Sequence, residues 1–170
     1  MTETKRSSVV ECAMNVALEM ADRSEDPWTK VGAVALTADH RFIATAYNGL
    51  LPGYEMSKVF DFVRPSEGSP SFQDNVIREF RLPFVVHCEQ NLCSLFKRNE
   101  AIHCVINISP CASCMLLLAA HGIKKVTYLY DYQRGSIAKK VAEFYHLELV
   151  KYTGPCKARV HQVTLESPES

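Results

Sequence analysis

Two short clusters of metal-type side chains, His87-Cys88-Glu89 and Pro110-Cys111-Ala112-Ser113-Cys114, each follow an apolar segment and each open a predicted helix. For the two clusters to serve one ion, the fold must bring two helix starts together. Cys111 and Cys114 are three positions apart, so a helix places both sulfurs on one face, where they can grip one ion. Both sit in a first turn, where the positive end of the helix dipole favours the thiolate that zinc requires. His87 supplies a third ligand and leaves the fourth tetrahedral position open, the pattern of catalytic rather than structural zinc. Zinc lowers the pKa of water from about 15.7 to roughly 7, and at about 1.36 kcal/mol per unit that is on the order of 12 kcal/mol towards hydroxide. An open corner therefore points to hydrolysis, with Glu89 beside it to move protons. Two plainer readings compete, because C-x-x-C alone also occurs as a redox pair or as half of a structural zinc site. A structural site needs a fourth protein donor, for which Cys88, His103 and Cys104 are available.

With 170 residues, 47 % of them hydrophobic, the chain has enough apolar surface for one well-covered core, and a single domain over 1–170 is expected. Its 19 basic residues balance 19 acidic ones without a block of like charge, so it lacks the electrostatic footprint of a nucleic-acid reader. No apolar run is long enough to cross a bilayer, and the polar start Met1 to Arg6 leads into an amphipathic segment rather than an apolar signal core. That pattern suits a soluble protein without export. The seven cysteines, odd in number and scattered through apolar segments, fit buried thiols and a metal site better than disulfides, as in a reducing cytoplasm.

Residues 7–23 place Val9, Cys12, Ala13, Val16, Ala17 and Met20 at helical spacing behind Ser7 or Ser8, which predicts a capped helix with one buried face. Residues 31–36 and 42–47 read as a strand hairpin. From Asn48 to Pro83 periodicity fades among glycines and prolines, with a short helix predicted at 74–80. The stretch 54–86 is read as an irregular insertion, functional or mobile. Beyond it the pattern predicts helix 88–98, strand 105–109, helix 111–120, strand 125–130, helix 136–145 and strand 147–152. That alternation argues for a layered α/β domain with a partly parallel sheet. The polar tail 153–170 is expected to be loosely held. His121 before Gly122 marks a helix end. His40, His103, His146 and His161 read as surface or edge residues, and Cys12, Cys93, Cys104 and Cys156 as small buried hydrophobes.

H-x-E followed by P-C-x-x-C is the signature of zinc-dependent nucleobase deaminases, in which the glutamate lies outside the metal shell. From about Val10 to Tyr152 the chain resembles the deoxycytidylate (dCMP) deaminases of the cytidine deaminase superfamily. Besides the zinc motifs, the resemblance rests on Arg23-Ser24-Glu25-Asp26-Pro27, Lys30-Val31-Gly32-Ala33-Val34, Tyr47-Asn48-Gly49 and Gly122-Ile123-Lys124-Lys125-Val126. It implies a three-layer α/β/α cytidine deaminase-like fold, with a central mixed five-stranded sheet flanked by helices. It implies Zn2+ on His87, Cys111 and Cys114, with Glu89 passing a proton from water to the ring nitrogen N3 and later protonating the departing amine. By similarity, Asn48 contacts the sugar and the Ser109 carbonyl faces the exocyclic amine. Ala33 and the loop 49–53 lie near the substrate or an effector. The implied reaction is hydrolysis of dCMP to dUMP and ammonia for thymidylate synthesis. The implied enzyme is a homo-oligomer, often a hexamer, with dCTP and dTTP as effectors.

The chain departs from this family at three places. Alanine usually separates the histidine from the glutamate, and here the residue is Cys88, either an inert small side chain or a thiol that approaches the metal. Against the family pattern Y-N-G-x-P-x-G, the proline of Tyr47-Asn48-Gly49-Leu50-Leu51-Pro52-Gly53 is displaced by one position. Residues between Gly53 and His87 do not match. For the substrate phosphate, Lys30, Arg64, Arg78 and Arg81 are candidates, Lys30 first. Rival substrates are cytosine, a cytidine nucleoside, dCTP, a modified deoxycytidylate and adenosine in transfer RNA, the last disfavoured by the balanced charge. A rival of another class is a zinc-stabilised regulatory protein whose coordination shell Cys88 closes.

Overall fold

The computed structural model describes residues 6–63, 80–132 and 135–157. Helix α1 (Val9–Ala21) starts behind Ser8, whose hydroxyl accepts the Glu11 backbone N–H. Strands β1 (Gly32–Leu36) and β2 (Phe42–Tyr47) form the hairpin, and α2 (Met56–Val63) follows. After a single 3-10 turn (Leu82–Phe84) come α3 (Cys88–Cys93), β3 (His103–Ile108), α4 (Ala112–His121), β4 (Lys125–Tyr130), α5 (Gly135–Phe144) and β5 (Glu148–Lys151). The five strands lie in the order β2-β1-β3-β4-β5. β1 runs antiparallel to β2 and β3, whereas β3, β4 and β5 are mutually parallel.

β1 and β3 are buried along their whole length, because successive side chains point to opposite faces and helices cover both. Ala33, Ala35, Cys104, Ile106 and Val126 share one core with Leu92 of α3, Met115 and Leu118 of α4, and Ala138 and Ala142 of α5. Val34, Leu36 and Val105 point the other way, onto Ala13, Met14, Ala17 and Leu18 of α1. A mixed five-stranded sheet between helical layers is the expected three-layer α/β/α arrangement.

The face that α1 buries is turned from the one read in the sequence. Ala13, Met14, Ala17, Leu18 and Ala21 are buried, whereas Val9 and Cys12 are exposed. Space explains this. A Cβ at Gly32 would sit 2.0 Å from the Ala17 carbonyl oxygen and 2.4 Å from the Ala21 nitrogen, so the helix meets the strand through its alanine stripe. α3 is shorter than predicted. It ends at Cys93, where the Ser94 hydroxyl donates to the Asn91 carbonyl and the chain turns through Asn99 at a φ of 67°.

α2 lies where the sequence reads as irregular, and its Met56 and Val59 join Val85 in a small core of their own, backed by Leu50 and Phe60. Of the helix predicted at 74–80, only Phe80 is described, and it is helical. Arg64, Arg78 and His161 lie outside the described residues. His103 corrects the surface reading, since its strand lies between β1 and β4 and its Nε2 sits 2.8 Å from Thr127 Oγ1 in the interior. Cys93 and Cys104 are buried, but Cys12 is exposed and Cys156 half-buried. Near the end of the described chain, the Lys157 backbone N–H donates to the Asn15 side chain and Tyr152 OH to the Pro155 carbonyl. Among the described residues no helix is long and apolar enough to cross a membrane.

Gly32→Ala must push α1 off the sheet, and we expect it to destabilise the fold by about 3 kcal/mol, measured by urea unfolding. Burial is the main cause that depresses the His103 pKa from 6.5 to about 4, with Lys125 assisting. The unfolded chain therefore binds this proton first as pH falls, and stability present above pH 6.5 is lost down to about pH 4. His103→Gln should flatten that decline by up to about 1.4 kcal/mol per pH unit, read as the difference from wild type in urea melts between pH 7.5 and 5.

Candidate metal centre and active site

Before α3 the chain is pinned to the hairpin, because Val86 and Gly49 exchange backbone hydrogen bonds of 2.8 and 3.1 Å just past the end of β2. Gln90 Oε1 accepts the His87 backbone N–H at 2.9 Å and fixes the first turn. On the other side, β3 delivers Ser109-Pro110 to the start of α4, where Cys111 occupies the N-cap position and Cys114 the first turn. His87 Nδ1 lies 3.8 Å from Cys111 Sγ and 3.4 Å from Cys114 Sγ. The three donor atoms lie within 4.8 Å of one another. Zinc–sulfur bonds of about 2.3 Å and zinc–nitrogen bonds of about 2.0–2.1 Å, at a tetrahedral angle, put nitrogen and sulfur about 3.6 Å apart. The donor set and its spacing therefore fit zinc.

The Cys114 hydrogen bond, helped by His87 and Ser113, pulls Cys111 down to about 3, and the same contact with Cys111 pushes Cys114 up. The Cys111 contact also raises His87. Glu89 is buried, and that burial raises its carboxyl above the ordinary range. Cys88 is not among the three donors. Its thiol donates to the Ala46 carbonyl of β2 at 3.3 Å, and burial raises its pKa well above that of a free thiol. Of the other donors imagined for a closed site, His103 is held against Thr127 and Cys104 is a core residue between β1 and β4.

A cavity open to solvent has His87, Glu89 and Cys111 on its wall. Asn48 and Ser109 also line it. The Asn48 side chain accepts the Val31 N–H and donates to the Thr29 carbonyl, each at 2.8 Å. Ser109 is fixed from two sides, its N–H donating to the Tyr130 carbonyl and its hydroxyl accepting the Tyr132 N–H. Two expected residues lie elsewhere. Ala33 is fully buried in mid-strand, and the Lys30 ammonium donates to the Ser24 carbonyl, neither lining the cavity. Arg81 does line it, held by both carboxylate oxygens of Asp26. Tyr132, absent from the sequence reading, follows the carboxyl end of parallel strand β4, where α/β sheets place their ligands.

A His-Cys-Cys cluster beside a buried carboxylate, at one end of the sheet of a three-layer fold, is a donor set that could hold zinc. Residues 7–130 match the cytidine and deoxycytidylate deaminase zinc-binding region, and the chain belongs to that family. It is 33 % identical over 120 residues to a probable deoxycytidylate deaminase of Drosophila melanogaster, across 69 % of this chain and 57 % of the relative. To the deoxycytidylate deaminase of Homo sapiens it is 28 % identical, across 69 % of this chain and 62 % of the relative. The chain thus spans less than two thirds of the length of these relatives. In structure it is similar to the dCMP deaminase of cyanophage S-TIM5, solved with dCMP and dUMP. There the TM-score is 0.61 and the identity 22 %, over 87 % of this chain and 99 % of the other.

Cobalt in place of zinc should give a thiolate charge-transfer band of two-sulfur intensity in wild type and in Cys88→Ala alike. Cys111→Ser should halve it and weaken metal retention at least tenfold under chelator competition. A Cys88→Ala protein with lower sulfur intensity would place that thiol on the metal.

Proposed function

We propose that the protein hydrolyses dCMP to dUMP and ammonia. The observation that carries this reading is the convergence of His87, Cys111 and Cys114 within 4.8 Å, on a cavity that also receives the buried Glu89. Family membership and relatives named deoxycytidylate deaminases support the choice of substrate, as does the fold shared with an enzyme that holds dCMP and dUMP. When bound by these residues, zinc supplies Lewis acidity that brings the pKa of water near neutrality.

Glu89 moves the protons. Water adds its oxygen to C4 of the ring, the C4–N4 bond breaks, and the two water protons finish on N3 and on the leaving nitrogen. Burial raises the Glu89 carboxyl above the ordinary range, the direction that suits a group which must both take and return a proton. The Ser109 carbonyl, at a peptide fixed by the Tyr130 and Tyr132 backbones, is the acceptor for the exocyclic amine. Asn48 orients the sugar while bracing Thr29 and Val31. Assembly into a homo-oligomer, a response to dCTP and dTTP, and a cytoplasmic location are carried as further proposals on family likeness. The inactive regulatory alternative loses support from the Cys88 thiol, which is spent on Ala46.

Ammonia release from zinc-loaded protein should be fastest with dCMP among dCMP, dCTP, deoxycytidine, cytidine and cytosine, assayed with and without dCTP. Faster turnover of free cytidine would reject dCMP as the substrate. Glu89→Gln should fold and retain zinc yet lose at least 1,000-fold in kcat, on the scale of general acid–base catalysis.

A further inference from the structure

We infer that the Arg81 guanidinium, fixed between Asp26 and Trp28 on the wall of the catalytic cavity, selects a 5′-phosphorylated substrate over the free nucleoside. This rests on the dCMP reading above. Arg81 is 1 % exposed. Its Nη2 lies 2.7 and 2.8 Å from the two Asp26 carboxylate oxygens, and its Cζ lies over the Trp28 ring, 4.6 Å from the centroid. Phe60 of α2 packs edge-on against that ring at 5.5 Å. A planar fork locked on two sides is already ordered before a ligand arrives.

Charge points the same way. Two thiolates cancel the charge of a zinc ion on the cluster, and Glu89 and Asp26 are acidic. Among the described residues that line the cavity, Arg81 has the only permanently cationic side chain. Asp26 is itself fixed, because its Oδ1 also accepts the Trp28 and Thr29 backbone N–H groups at 2.9 and 3.1 Å. A phosphate dianion pairs with a planar guanidinium through parallel, charge-assisted hydrogen bonds, and a neutral nucleoside carries no group that requires one. The segment Arg81 to His87 joins this cation to the first metal ligand through the 3-10 turn and the Val86 bridge. A ligand whose base meets Glu89 thus has Arg81 on the same wall.

The test compares kcat/KM for dCMP and deoxycytidine in wild type, in Arg81→Lys, and in the double variant Asp26→Asn/Arg81→Gln, which removes both charges so that neither is left buried alone. Calorimetry of dUMP and deoxyuridine binding runs alongside. The preference for the phosphorylated partner should fall about 100-fold in the double variant and about tenfold in Arg81→Lys, in both assays, as expected for hydrogen bonds to a charged group. Should the double variant fail to fold, Arg81→Lys decides. A folded variant that keeps the wild-type preference overturns the role of Arg81 and leaves dCMP as substrate. A wild-type protein that handles deoxycytidine as well as dCMP overturns both.

Discussion

One round trip of the chain makes the centre. α3 leaves the site from His87, the turn after Cys93 reverses it, and β3 brings the chain back to Ser109, where α4 begins. The trip closes because both legs are buried on each other, Leu92 and Cys93 of α3 sharing a core with Cys104 and Ile106 of β3 and Met115 and Leu118 of α4. Apolar burial of about 25 cal/mol per Å² is non-directional, so it sets the layers but not the final ångström. That last adjustment belongs to hydrogen bonds such as those of Gln90 to His87 and of Val86 to Gly49.

The opposite wall is built on a different principle. Where β1 begins, two side-chain amides take over from the strand ladder. Asn107 accepts the Gly32 N–H and donates to the Lys30 carbonyl, and Asn48 does the same for Val31 and Thr29. Four consecutive residues are thereby held by amides rooted in β3 and at the end of β2. With its carbonyl claimed by Asn107, Lys30 sends its ammonium back to Ser24. The loop it belongs to is the one that carries Asp26 and Trp28.

Local signals survive into the structure and long-range ones do not. The Cys111–Cys114 spacing and the H-x-E triplet point to donors that converge in the structure, because the geometry of a helix start is set within a few residues. The strand and helix order from β3 to β5 is legible to within a residue or two for the same reason. The buried face of α1 is not, because alanines carry a weak hydrophobic signal and only the absent side chain of Gly32, distant in sequence, shows which stripe can approach. Nor is the Asp26–Arg81 pair, whose partners stand 55 positions apart across an unmatched insertion. Tyr132 was recoverable from its place after a parallel strand. His103 misleads because a histidine without a partner motif reads as exposed, while its strand lies in the middle of the sheet.

The ligand set also makes the ion a staple. His87 and Cys111 bracket α3, the turn and all of β3, so a metal held at both ends closes a loop containing the innermost strand of the sheet. The denatured chain holds no such preformed site, so the free energy of binding the ion adds to that of folding. Affinity for the ion and cohesion of the sheet thus become one thermodynamic quantity. Chelation should then cost the fold stability through the same strand that carries Ser109 to the cavity.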